Sequence, residues 1–134
     1  MDVLERNNQK GLRWVLRAGA TVFGLSAPIL LFSPSTFLSL LALPSSADQE
    51  WSMRMIAITL VALTGNMAVV SFSAMHPGVI AASIVMMLSA GALGFLTLMI
   101  PAAITWFTVL YALVGFGFSA AYLVGLALWL RPAR

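Results

Sequence analysis

Cysteine is absent from this sequence, and charge is scarce. Without cysteine, the chain of 134 residues can form no disulfide, thiolate metal site or cysteine nucleophile. Charged residues make up 8% of the chain and hydrophobic residues 61%, whereas soluble domains carry about 25% charged residues. Because water cannot solvate a surface of this composition, we expect lipid to surround most of the chain.

The residue patterns that mark catalytic and metal sites are also missing. The sequence has no HExxH motif, no glycine-rich phosphate loop, no cluster of metal ligands and no pair of carboxylates at catalytic spacing. The one histidine, His76, stands in the sequence MHPG, and we interpret it as a solvated turn residue. The basic residues are too dispersed for a nucleic-acid footprint. We therefore predict a protein that is not an enzyme, has no evident cofactor or metal, and binds no nucleic acid.

Four apolar runs are long enough to cross a bilayer, whose hydrocarbon core of about 30 Å needs about 20 helical residues. The first run is too long for the apolar part of a cleaved signal peptide, so we interpret it as a retained span. The short connections HPG and Pro101 make the later spans antiparallel neighbours. The prediction is an all-α integral membrane protein with a single membrane domain, an antiparallel four-transmembrane-helix bundle with spans at about residues 12–32, 53–75, 79–100 and 102–130.

The basic residues predict the orientation of these spans. All but Arg54 lie at the first end of span one or follow the last span, and an even number of spans brings both chain ends to one side. We therefore expect both termini in the cytoplasm and the protein in the cytoplasmic (inner) membrane. Because indole favours the headgroup layer, we expect Trp14 and Trp129 at the inner boundary and Trp51 and Trp106 at the outer one.

The long connection over residues 33–49 contains a further helical pattern. Ser33 or Ser35 can cap a helix, and Pro34 suits an early helical position. The segment is too short to span, so we predict a short helix in the outer interface at about residues 35–43. An irregular apolar loop lying on the bundle is the alternative.

The segment ADQEWSMRM groups charges of both signs at the start of the second span. Ser45 or Ser46 can cap this helix, and two acids then fall in its first turn, where negative charge favours the helix dipole. Glu50 and Arg54 are four residues apart, in the favourable order for a helical pair. We interpret the segment as a membrane-entry device; an enzyme site built from Asp48, Glu50 and Arg54 is the less favoured alternative.

Four cations share one face at the start of the first span. Arg6, Lys10, Arg13 and Arg17 are spaced 4, 3 and 4 residues apart, which places them within roughly 60° of one another on a helix. The face either orients the protein and reaches lipid phosphates or docks on an acidic partner. Arg17 lies inside the span and should reach back to the headgroups or pair with a neighbour. Arg54, at the opposite side, is a further candidate for lipid or partner contact.

Polar residues inside the spans are candidate ligand contacts. Asn66 lies near the midpoint of the second span and requires hydrogen-bond partners, for which Ser89 and Tyr122 are candidates. Such an asparagine usually ties helices together, and ligand contact is the alternative. Asn66, Tyr111 and Tyr122 are candidate polar contacts for a bound lipid, quinone or pigment in an apolar pocket.

Small residues at a spacing of four mark the last span. Gly117, Ala121 and Gly125 form one ladder, and Gly115 and Ser119 lie on a second face. Small residues let helix backbones approach closely. The ladders therefore serve packing within the bundle or receive a helix from another subunit.

The pattern LRAGATVFGLSAPILLFSPSTFLSLLALP followed by EWSMRMIAITLVALTG resembles small four-span bacterial membrane proteins of the DoxX-like kind. The shared features are an arginine beside small residues in span one, a proline-bounded outer segment, and an arginine early in span two. The resemblance covers roughly the first half of the chain. It implies a compact four-helix bundle and a family whose roles include accessory subunits of membrane redox systems.

Two functional hypotheses follow. We expect first a non-catalytic accessory or interaction subunit of a larger membrane complex, in contact with lipids and other membrane subunits. An electron-transport or photosynthetic setting is implied by the resemblance alone. The alternative is a binder or carrier of a small apolar molecule, such as a quinone, pigment or lipid, within the bundle.

Overall fold

Five helices make up the described part of the chain. The computed structural model describes residues 3–131, with side chains described from residue 9 onward. The helices are α1 (Val3–Phe32), α2 (Pro34–Leu40), α3 (Ala47–Ser73), α4 (His76–Leu98) and α5 (Trp106–Leu130). All except α2 include a stretch long and apolar enough to cross a membrane. The prediction of an all-helical chain with four helices long and apolar enough to cross a membrane is confirmed.

Side-chain caps determine where two helices start. α3 begins at Ala47, after the predicted serine cap: the Ser46 hydroxyl accepts a hydrogen bond from the backbone N–H of Gln49 at 3.3 Å. α5 begins at Trp106 rather than at residue 102, because Thr105 forms a capping box with Thr108. The predicted connection at Pro101 is therefore longer than expected, and its last residue determines where α5 starts.

The sequence HPG, predicted as a connection, forms the first turn of α4. Proline fits there because the first N–H groups of a helix have no intrahelical acceptor. Only Ala74 and Met75 then connect α3 to α4. His76 is half-buried, and its Nε2 atom is buried with no hydrogen-bond partner in the described part of the chain. This placement corrects the interpretation of His76 as a solvated turn residue.

The short α2 is helical, as predicted, and its apolar side faces the protein. Phe37, Leu38 and Leu41 are buried. The Phe37 ring makes edge contacts with Phe107 and Tyr111 of α5, at centroid distances of 5.4 and 5.8 Å. α2 therefore closes one end of the bundle, which we call the α2 end.

α1 is the central element, because it contacts each of the other four helices. The most extensive contacts join α1 to α3 and α4 to α5, whereas α3 and α4 touch sparsely despite their short connection. The start of α1 meets the end of α5, where a Cβ on Gly125 would lie 2.7 Å from the Leu12 side chain. We call this end of the bundle the basic end, since Lys10, Arg13 and Arg131 lie there.

Arg13 fastens α3 to α1 at the basic end. Its guanidinium donates hydrogen bonds to the carbonyl oxygens of Ser71 at 2.8 Å and Ala74 at 2.6 Å, with a longer contact to Val70 at 3.5 Å. The last carbonyl groups of a helix have no intrahelical partner and carry the negative end of its dipole. α3 has no basic residue in its own last turn, so α1 supplies the cation.

Glycines let α4 and α5 touch through their backbones. A Cβ on Gly115 would lie 2.8 Å from the Ala90 carbonyl oxygen and 2.9 Å from the Gly94 nitrogen. On the same face, the Ser119 hydroxyl donates to the Met87 carbonyl at 2.9 Å. The Gly115 and Ser119 face is therefore a packing surface inside the bundle, as small residues permit.

Replacing Arg13 with glutamine should lower the free energy of unfolding by about 2–3 kcal/mol, because hydrogen bonds from a charged group to the end of α3 are lost. Lys10→Gln removes the same charge from an exposed position of the same helix, and we expect a change below about 0.5 kcal/mol. Unfolding in mixed micelles, followed by circular dichroism, compares the two variants. Equal losses would contradict the capping role of Arg13.

A methyl group at Gly115 should force α4 and α5 apart, and we expect Gly115→Ala to cost about 1–3 kcal/mol of stability. Gly117→Ala is the matched control, because a Cβ there meets no atom within 4 Å. Alanine has the higher helix propensity, so the control should be neutral or slightly stabilising. Thermal unfolding midpoints of both variants in one detergent test this prediction; an unchanged midpoint for Gly115→Ala would contradict it.

Candidate functional site

The sparse contact between α3 and α4 leaves a cavity in the half of the bundle nearer the α2 end. Its volume is about 320 Å³, and all five helices contribute to its wall. Ligand pockets typically begin at about this size. The polar residues in the wall are Ser89, Thr97 and Tyr111, and the apolar lining consists of Phe23, Leu30, Phe37, Leu41, Met53, Ile56, Leu60, Leu63, Met86, Ala90, Leu93, Leu96 and Ile100.

Two of these three polar residues have side chains without a hydrogen bond to any described residue. The hydroxyl groups of Ser89 and Tyr111 make none within the described part of the chain, whereas the Thr97 hydroxyl donates to a backbone carbonyl of its own helix at 2.7 Å. The Tyr111 ring lies against Phe37 and Phe107, at centroid distances of 5.8 and 5.9 Å. These ring contacts restrict the orientation of the Tyr111 side chain.

A second cavity, of about 280 Å³, continues the gap between α3 and α4 toward the basic end. Leu63 and Met86 line both cavities. The two cavities therefore form one seam between α3 and α4.

Asn66 lines the second cavity and is exposed. Its amide nitrogen donates to the Ala62 carbonyl of its own helix at 3.0 Å. The predicted partners, Ser89 and Tyr122, do not receive this hydrogen bond, because a carbonyl one turn back is always within reach of a short polar side chain. The interhelical role expected for Asn66 is thus corrected.

Tyr122 lies in the apolar core that α1, α3, α4 and α5 share, and it lines neither cavity of the seam. The side chain is fully buried, and its hydroxyl has no hydrogen-bond partner in the described residues. A Cβ on Gly19 would lie 3.4 Å from that hydroxyl, so the α1 backbone passes close to it. The three candidate ligand contacts are not brought together: Tyr111 and Asn66 line different cavities, and Tyr122 is enclosed.

The cations of the predicted basic face have different surroundings in the structure. Lys10 is exposed, Arg13 is bonded to the end of α3, and the Arg17 guanidinium lies 4.2 Å from the ring centroid of Phe72. Arg6 lies outside the residues whose side chains are described. Contact with lipid or a partner stays a prediction for this face.

At the α2 end, the charged segment forms the first turns of α3. Arg54 Nη2 lies 4.0 Å from Glu50 Oε2, and the Ser45 hydroxyl donates to Glu50 at 2.7 Å. Asp48 is exposed in the first turn. The cap, the acidic turn and the four-residue pair agree with a membrane-entry device, and such an exposed pair adds little stability.

The ladder of Gly117, Ala121 and Gly125 does not form one open face. Gly117 faces open space, whereas Gly125 is covered by Leu12 of α1, and Ala121 is half-buried. A spacing of four drifts by about 40° at each step around an α-helix. The two ends of the ladder therefore point in different directions.

The tryptophans lie in pairs at the two ends of the bundle. Trp14, Trp51 and Trp106 are 70%, 63% and 70% exposed, and Trp129 is half-buried. The helix directions bring Trp14 and Trp129 to the basic end and the other two to the α2 end. This arrangement is the one expected of indoles at two membrane interfaces.

The cavity itself is not predicted by the sequence, and Ser89 is predicted only as a partner for Asn66. Its wall residues, such as Leu93, are indistinguishable in sequence from residues that face lipid. The hydroxyl residues Ser89 and Tyr111 gave no distinct signal either, because the same two spans also contain Ser83, Thr97, Thr105, Thr108, Ser119 and Tyr122.

Comparisons with known proteins assign neither a family nor a function to this chain. No protein-family model matches the chain, and neither a curated protein nor a solved structure matches it. The resemblance to DoxX-like proteins therefore rests on the sequence patterns alone.

Proposed function

We propose that this protein binds a small apolar molecule in the cavity between α3 and α4 and has no catalytic role. The observation that supports the proposal is an apolar cavity of about 320 Å³ whose lining includes Ser89 and Tyr111, two residues whose hydroxyl groups have no hydrogen bond in the described part of the chain. A few polar groups in an apolar wall are characteristic of small-molecule sites. The seam between α3 and α4 offers the ligand a route from the bilayer.

The lipid that surrounds the bundle limits which class of molecule the cavity can select. Lipid tails are as apolar as the cavity wall, so an apolar molecule gains no hydrophobic free energy by leaving the bilayer. Selectivity must come from close packing and from hydrogen bonds to Ser89 and Tyr111. A quinone, a pigment or a lipid with a carbonyl or hydroxyl group meets both conditions.

A second candidate function is that of an accessory subunit in a larger membrane complex. Gly65 and Gly117 face open space, where a Cβ would meet no atom within 4 Å, and such positions let a partner helix approach closely. The exposed amide of Asn66 supports a partner at α3 as well. Native-size purification in mild detergent tests this role, and a monomer that co-purifies with no protein would contradict it.

We also propose that the protein lies in the cytoplasmic (inner) membrane with both termini in the cytoplasm. Lys10, Arg13, Arg17 and Arg131 lie toward the basic end, and Arg54 lies toward the other. In bacterial cells, green fluorescent protein fused to the C-terminus should be fluorescent, and alkaline phosphatase fused there should be inactive. The reverse pattern would overturn this orientation.

The cavity proposal predicts that the purified protein retains an extractable apolar molecule, identified by organic extraction and mass spectrometry. Leu93→Trp fills the cavity and should abolish retention. Leu113→Trp introduces the same side chain at an exposed position of α5 that lines neither cavity of the seam, and retention should persist. Absence of any retained molecule from the unaltered protein would contradict the proposal.

The hydroxyl of Tyr111 should contribute a hydrogen bond, so Tyr111→Phe should weaken binding of the retained molecule by about three- to tenfold. Asn66→Leu, in the second cavity, should leave its affinity unchanged. Equilibrium rebinding to delipidated protein measures both. Equal weakening by the two substitutions would place the ligand elsewhere in the seam.

A further inference from the structure

A groove separate from the α3–α4 seam runs along the surface between α1 and α3. Its volume is about 490 Å³, and its lining includes Arg17, Ala20 and Thr21 of α1. The hydroxyls of Thr21 and Thr64 already donate to carbonyls of their own helices, at 2.9 and 3.1 Å. The groove therefore offers a mainly apolar track with one cation, Arg17.

The dimensions of this groove match one leaflet of a bilayer. On α3 it extends from Val61 to Phe72, which at 1.5 Å per residue is about 16 Å. Half of a hydrocarbon core of about 30 Å is about 15 Å. Val61 and Phe72 are exposed, and a Cβ on Gly65 would meet no atom within 4 Å. The groove is therefore open to lipid along its length.

Arg17 lies in this groove with no anionic partner in the described part of the chain. Its guanidinium lies 4.2 Å from the ring centroid of Phe72, and its Nε atom is buried without a hydrogen bond. The described acids, Asp48 and Glu50, lie in the first turn of α3. Phe72 is in its last turn, about 33 Å from Glu50 along the helix axis. The charge of Arg17 is therefore not paired by any acid among the described residues, and the guanidinium is free to bind an external anion.

We propose that this groove is a binding site for one anionic phospholipid, whose phosphate pairs with Arg17 and whose acyl chain lies along the groove. A guanidinium matches a phosphate with two parallel hydrogen bonds. Phe72 holds the guanidinium in place through its ring face. Arg17 lies toward the end of an apolar groove that is about one leaflet long. A phospholipid can therefore place its phosphate at Arg17 and its acyl chain along the groove at the same time.

Native mass spectrometry of the purified full chain tests the site, with phosphatidylglycerol and phosphatidylcholine of identical acyl chains as probes. The unaltered protein should bind phosphatidylglycerol about tenfold more tightly. Arg17→Gln should abolish this preference, Arg17→Lys should restore part of it, and Lys10→Gln, which removes the same charge from an exposed position, should keep it. A preference that survives Arg17→Gln would overturn the proposal, provided that circular dichroism shows each variant folded.

The acyl chain has its own test. Gly65→Leu places a side chain in the open groove and should weaken both phospholipids about equally. Glycerol 3-phosphate should not compete with phosphatidylglycerol at equal concentration. Three results would overturn the proposal. Effective competition by glycerol 3-phosphate would show that the site binds only the anion. Unchanged phospholipid affinity in Gly65→Leu would show that the acyl chain does not lie in the groove, and loss of a co-purified protein instead of lipid would assign the groove to a partner helix.

Discussion

The arrangement of the helices depends on the hydrogen bonds from the Arg13 guanidinium to the last carbonyl groups of α3. A helix end leaves carbonyl oxygens without intrahelical partners. Arg13 satisfies Ser71 and Ala74 at 2.8 and 2.6 Å and places a positive charge at the negative end of the helix dipole. α3 consequently packs on α1, although α4 follows α3 in the chain after only two residues.

This pairing determines where the bundle is open. α4 packs on α5 through Gly94 and Gly115, whose backbones are in contact, and α1 joins the two helix pairs by contacting α5. The edge between α3 and α4 receives few contacts, and the cavities lie along it. Lipid does not drive such an edge closed, because apolar surface gains nothing by moving from hydrocarbon to protein. The cavity is thus a consequence of tight packing at the other edges.

Cations that look equivalent on one helical stripe have different environments. Lys10 is exposed, Arg13 donates hydrogen bonds to backbone carbonyls, and Arg17 lies against an aromatic ring with no acidic partner among the described residues. The difference arises from what α3 presents opposite each position: carbonyls at its end for Arg13, and the ring of Phe72 beside a groove for Arg17. Of these three cations, Arg17 is the one that is half-buried with no oxygen partner among the described residues, and it carries the proposal of a phospholipid site.

The sequence by itself determined the four long apolar helices, the helical segment after Ser33, the Ser46 cap and the tryptophan pairs, because each depends on local composition, spacing or capping. Only the tertiary structure decided the partner of Arg13, the bond of Asn66 within its own helix, and the separation of Tyr111 from Tyr122. Periodicity predicts the face of a helix on which a residue lies. In a chain whose helices are apolar on nearly all faces, it does not predict which other helix packs against that face. Close packing of small residues and unsatisfied helix ends determine the packing partner, and both are defined only once the helices are assembled.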